Sequence, residues 1–118
     1  MAQRLTAILL AVSLTALPAV GAHSDWQEEV AHLLDYIARS DCSFIRNDKV
    51  YDAAQARDHI NRKYEHLKKR ISSTEQFITY AASRSSITGE KYRVTCGETT
   101  LLSNEWLEEE LRSYRESR

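Results

Sequence analysis

The chain reads as an α+β domain: about four helices packed around a small antiparallel sheet, closed by one disulfide. Three observations predict this. Four segments carry apolar residues at helical spacing. Two short alternating segments, rich in β-prone residues, follow the first helix and precede the last. The two cysteines, Cys42 and Cys96, lie one in each of those segments, so a bond between them would tie the early strand to the late one.

The domain is preceded by a segment that reads as an export signal. Arg4 supplies a positive start, and Leu5 to Leu17 is apolar apart from Thr6, Ser13 and Thr15. Pro18 ends that run, and Val20-Gly21-Ala22 presents the small residues a signal peptidase reads. Cleavage is expected near Ala22, with Gly21 a neighbouring alternative. A membrane anchor would need about 20 apolar residues, and this run has about 13. Residues 1–22 are therefore assigned to a signal peptide and 23–118 to a single exported domain, with no stable membrane insertion after cleavage.

Ninety-six residues make one domain with a modest core, and exported domains of that size often add a disulfide. Two other roles for the cysteines exist. A metal site would need further ligands, and no C-x-x-C spacing is present; a reactive thiol would need the chain to stay reduced. Without Arg4 the domain carries 15 basic against 17 acidic side chains, a near-neutral balance that argues against a dedicated nucleic-acid binder.

The elements follow in order. Ser24 with Gln27 has the form of a capping box, and Trp26, Val30, Leu33, Leu34 and Ile37 trace a helix over about 25–39. Glu28 and Glu29 fall in its first turn and Arg39 in its last, as the helix dipole favours. Residues 42–51 alternate around Asn47-Asp48, two residues that tolerate positive φ, which predicts a hairpin. Asp52 can cap a second helix over about 53–71, whose stripe is Ala53, Ala56, Ile60, Tyr64, Leu67 and Ile71. Asp58 with Arg62, and Glu65 with Lys69, are favourable i,i+4 pairs on its outer face. A further capping box, Ser72 with Glu75 or Ser73 with Gln76, opens a short helix that buries Phe77, Ile78, Ala81 and Ala82. Lys91 to Cys96 reads as a strand, Gly97 to Thr100 as a turn, and Ser103 as the cap of a last helix burying Trp106, Leu107, Leu111 and Tyr114.

Several of these stretches, taken together in order, resemble one bacterial family. They are Cys42-Ser43-Phe44-Ile45-Arg46-Asn47, Tyr64-Glu65-His66-Leu67, Thr74-Glu75-Gln76-Phe77-Ile78, Ser85-Ser86-Ile87-Thr88-Gly89 with Tyr92, and Trp106-Leu107. The domain is similar to domain of unknown function 5329, the YfeK-like small exported proteins. Asp48 departs from the family pattern, which would place Gly after Arg-Asn. The resemblance implies a periplasmic location and brings neither an activity nor catalytic residues.

The polar loop Ser83 to Gly89 and the Arg46-Asn47 turn are the segments that could carry recognition. Arg forks and hydroxyl donors hold carboxylates, phosphates or sugars, although Ser and Thr at a helix end commonly cap the backbone. Arg46, Asn47, Ser85, Ser86 and Tyr92 are the candidate ligand-binding residues. No cofactor or metal is implied. His59 and His66 are seven apart on one helix, where metal pairs need three or four, and they read as solvated surface residues. The basic residues Arg57, Arg62, Lys63, Lys68, Lys69 and Arg70 read as a solvated helix face.

Two functions from different classes fit. The first is a non-enzymatic binding or interaction module for an envelope protein or a small anionic ligand. The second is a small envelope hydrolase using Glu75 as a general base, or a Ser/His pair. Small size and the absence of a G-x-S-x-G or Gly-rich phosphate motif favour the first.

Overall fold

A computed structural model describes residues 3, 6–13 and 25–118. The expected cleavage site at residues 20–22 and the first cap, Ser24, lie outside the described residues, as does part of the apolar run. No helix of the described residues is long and apolar enough to cross a membrane.

Eight elements make the domain: α1 (Trp26–Arg39), β1 (Ser43–Arg46), β2 (Lys49–Tyr51), α2 (Ala53–Leu67), α3 (Thr74–Ala81), β3 (Arg93–Cys96), β4 (Thr99–Leu102) and α4 (Ser103–Glu116). The sheet has four antiparallel strands in the order β2-β1-β3-β4, two hairpins joined edge to edge. Its inner face carries Phe44 and Val94, and the helices cover that face. Trp106 of α4 meets Phe44 edge to face at 5.6 Å and stacks on Tyr36 of α1 at 4.6 Å. Tyr64 of α2 lies between Trp26 and Phe77, which brings α1 and α3 onto one aromatic seam. Leu33, Ile37, Phe77 and Leu107 are fully buried at the centre.

Where chemistry at an element's end decides its boundary, the structure adjusts the expectations. Asp25 caps α1, its carboxylate accepting from Gln27 N. Asp52 and Gln55 form a reciprocal capping box on α2. That helix stops at Leu67 rather than 71: Arg70 N donates to Leu67 O, a tighter turn that still buries Ile71. Ser73 caps α3, while the Gln76 side chain reaches Ser72 N instead of closing the box. On the outer face of α2, Asp58 meets Arg57 and Glu65 meets Lys68, not the i,i+4 partners expected.

The largest correction is β4. The expected turn over Gly97–Thr100 is only two residues long, with Gly97 at φ 62, and the chain returns at once as Thr99–Leu102. Leu101 pairs with Val94 and packs against the core. Because β4 runs directly into α4, Ser103 is that helix's first residue and not its cap. Its backbone N–H donates to Tyr92 O at 2.9 Å.

Cys42 and Cys96 are bonded, with sulfurs 2.01 Å and Cα atoms 4.6 Å apart. The β1–β3 register explains why. Ser43 pairs with Thr95, so one further step places Cys42 opposite Cys96. Closing a loop of this length stabilises the fold by about 4 kcal/mol through the unfolded chain.

A second tie crosses the helices. Glu29 is fully buried, accepts from Thr74 at 2.6 Å and is held by both Arg115 and Arg118. Arg115 also pairs with Glu75 at 2.6 Å, so α1, α3 and α4 converge on one carboxylate. The Arg115 hydrogen bonds pull the Glu29 carboxyl down to about 2 against the opposing effect of burial, helped by Thr74 and the Arg118 charge.

Two stability predictions follow from these ties. Cys96→Ser should melt well below the oxidised parent, and an equal melting temperature would contradict the stapling role. Glu29 is lowered in the folded state, so its contribution is present above pH about 4.5 and is lost as pH falls towards about 2. By linkage the loss is about 3 kcal/mol. Glu29→Gln, which resembles the protonated acid, should lose about the same at pH 7 and show a flatter acid limb in urea denaturation. A variant as stable as the parent would remove this role.

Candidate functional site

Strand alternation decides which way the first hairpin points its charges. Phe44 and Arg46 lie on the same face of β1, and their partners Tyr51 and Lys49 share it. That is the core-side face, yet Arg46 and Lys49 stand beyond the part that the helices fill. Asn47 and Asp48 make the turn between them at φ 50 and 63, so Asp48 adopts the left-handed conformation that Gly takes most easily. α2 contributes His59 and Lys63, which flank its buried stripe of Ala56, Ile60 and Tyr64. The chain between α3 and β3 contributes residues 85–87 and Tyr92. Together these residues enclose an open cleft of about 430 Å³.

The walls are tightly specified. The Arg46 guanidinium carbon lies 4.3 Å from the Tyr51 ring centroid, a cation–π contact that holds the group at the cleft wall. Lys63 Nζ donates to Arg84 O at 2.7 Å and to Tyr92 Oη at 3.1 Å. Tyr92 Oη is also 3.1 Å from His59 Nε2. Burial, with the charges of Arg46, Lys63 and Arg62, lowers the His59 pKa to about 4. The phenol accepts from Lys63 and shares one hydrogen bond with His59, whose direction follows the imidazole tautomer. Burial and then the Arg46 charge also lower Lys63, and burial raises Tyr92.

The polar loop is shaped from within. Ser85 is buried, and its Oγ accepts from Ile87 N and Thr88 N, each at 3.3 Å. Asn47 clasps the loop to the hairpin. Its Nδ2 donates to Ser85 Oγ at 3.3 Å, and its Oδ1 accepts from Thr88 Oγ1 at 2.7 Å. Ser86 and Ile87 are exposed. Among the described residues, Arg46, Lys49 and Lys63 make no ion pair, and no acidic side chain lines the cleft.

Residues 24–115 match the family of unknown function DUF5329. The chain belongs to this family. It is also 34% identical over 86 residues to the uncharacterized protein YfeK of Salmonella typhimurium, covering 72% of this chain and 70% of that one. No solved structure matches the chain.

In this DUF5329 member, the five residues singled out from the sequence, Arg46, Asn47, Ser85, Ser86 and Tyr92, all border the one cleft. Their geometry divides them. Asn47 and Ser85 spend their side chains on the loop, Tyr92 orders Lys63 and His59, and Arg46 and Ser86 face the open space. Lys49, Tyr51, His59, Lys63 and Ile87 also line it. Lys63 and His59 are corrections: both were expected on a solvated face, and both are partly buried. Glu75 is elsewhere, exposed and paired with Arg115 between α3 and α4. No serine hydroxyl is hydrogen-bonded to a histidine among the described residues. Tyr80 stands outside the cleft that Tyr51 and Tyr92 wall.

The wall makes a titration prediction. His59 should titrate near pH 4 by NMR, and Arg46→Ala should move it upward towards 6.5, because one of the charges opposing its protonation is gone. A parent value near 6.5 would contradict this packing.

Proposed function

We propose that the protein is an exported, non-enzymatic binding module of the periplasm whose cleft holds a small anionic group. The observation that carries the reading is a set of three cations without carboxylate partners, gathered on one concave surface of a domain whose total charge is close to zero. Left to themselves, Arg46, Lys49 and Lys63 repel one another, and an anion between them relieves that repulsion. Arg46 supplies a planar fork, Lys63 has a third N–H beyond the two it spends on Arg84 and Tyr92, and Ser86 supplies a hydroxyl.

The apolar run ending at Pro18, the small residues before His23 and the Cys42–Cys96 bond support export. An oxidising compartment keeps that bond closed.

Two measurements test the reading. Protein recovered from a bacterial periplasm should have an intact mass beginning at His23 and lacking two hydrogens. A full-length, reduced chain would overturn the export assignment. In calorimetric titrations with acetate, citrate and inorganic phosphate, Arg46→Ala should weaken the tightest ligand by about tenfold or more. Affinities equal to the parent's for every anion would remove the site.

A further inference from the structure

The cleft's donors differ from those that usually hold a phosphate. Phosphate sites typically converge backbone N–H groups, at a helix N-terminus or in a loop nest, onto the anion. Here most of those in the polar loop are already spent. Ile87 N and Thr88 N donate to Ser85 Oγ, Gly89 N to Ser85 O, and Glu90 N to Thr88 Oγ1. At the start of α2, Gln55 N and Ala56 N are taken by Asp52, and Ala53 and Ala54 do not border the cleft. What remains is one guanidinium seated over Tyr51, one N–H of Lys63, the Lys49 ammonium, and the hydroxyl and single backbone N–H of Ser86. A planar fork with a few side-chain donors matches a planar carboxylate bound through both oxygens.

The remaining walls are apolar. The Tyr51 and Tyr92 rings line the cleft, and Ile87 borders it at 94% exposure. A lone exposed isoleucine is ordinary on a surface. This one stands beside Ser86 and borders the same cleft as two aromatic rings, where an apolar substituent on a bound anion would cover it.

We infer that the ligand is a carboxylate carrying an apolar group, its carboxylate on Arg46 and Lys63 and its apolar part against Tyr51, Ile87 and Tyr92. This rests on the anion-binding reading of the same cleft and narrows it. Two sources offer that chemistry, the free C-terminus of a peptide and a free short-chain acid.

The test titrates protein purified from expressing bacteria with acetate, hexanoate, N-acetyl-leucine, N-acetyl-leucinamide and inorganic phosphate. At least one of the two longer acids should bind about tenfold tighter than acetate, because it adds buried apolar area. The amide should bind at least about tenfold more weakly than N-acetyl-leucine, since it lacks the charge the fork receives. Ile87→Ser changes a fully exposed side chain, so the fold is untouched. It should weaken the longer acids by about fivefold and leave acetate unchanged. N-acetyl-leucine tighter than hexanoate supports a peptide C-terminus, and the reverse order supports a free acid. Phosphate binding tighter than every carboxylate, with that affinity lost in Arg46→Ala, overturns this inference and leaves the anion site standing. An amide equal to its acid, or an Ile87→Ser variant equal to the parent, also overturns it. Absence of measurable binding by every anion overturns both readings.

Discussion

The pairing of β1 with β3 brings together two hairpins that are separated in the chain by two helices. Their register carries Cys42 to Cys96 at one end, where a covalent bond locks it. At the other end the same register aims the Asn47-Asp48 turn at the chain entering β3, and Asn47 grips the loop there. A slip of one residue would turn Arg46 and Lys49 to the outer face of the sheet and Phe44 out of the core. The disulfide, the core face and the cleft are therefore one geometric decision made three times along the same ladder.

The cleft's electrostatics come from position, not from composition. The domain's charges nearly cancel, yet α2 turns its Lys63 inward beside Arg46 while Asp58 and Glu65 face solvent and pair with Arg57 and Lys68. Neutral His59 and Tyr92 then form the floor, so positive charge is not diluted by a neighbouring carboxylate. By contrast, the two arginines near the end of α4 are committed to carboxylates. Arg115 and Arg118 neutralise buried Glu29, and Arg115 reaches Glu75 as well. Two arginine-bearing surfaces thus do different work: one fastens helices, the other is left open.

Much of this was legible in the sequence wherever a side-chain period stated it. The stripes of α1, α2, α3 and α4 and the 42–51 hairpin could be read from spacing, and the cysteine pair from the export signal and the presence of just two cysteines. β4 was hidden because Thr99-Thr100 resembles a continued turn and the alternation shows only once Leu101 is placed opposite Val94. Ser103 misled for a related reason: a strand that runs straight into a helix leaves no separate residue to cap it. At the cleft, the hydroxyl loop and Arg46-Asn47 stood out as unusual local chemistry. Lys49, Lys63 and His59 were missed: the signals that point to them are the cross-strand pairing of Lys49 with Arg46 and the places of Lys63 and His59 at the edge of the apolar stripe. Tertiary contact alone decided that this edge is covered, and a period cannot report what lies across from it.

Residues 86–90 are exposed throughout and contribute nothing to the core, while buried Ser85 ties to Glu90 at the far end and Asn47 grips Ser85 and Thr88. The rim of the cleft is thereby mechanically separate from the scaffold beneath it. Substitution at positions 86 and 87 therefore alters that rim at little cost to folding, and under the proposed binding role it would change selectivity while the domain itself stays the same.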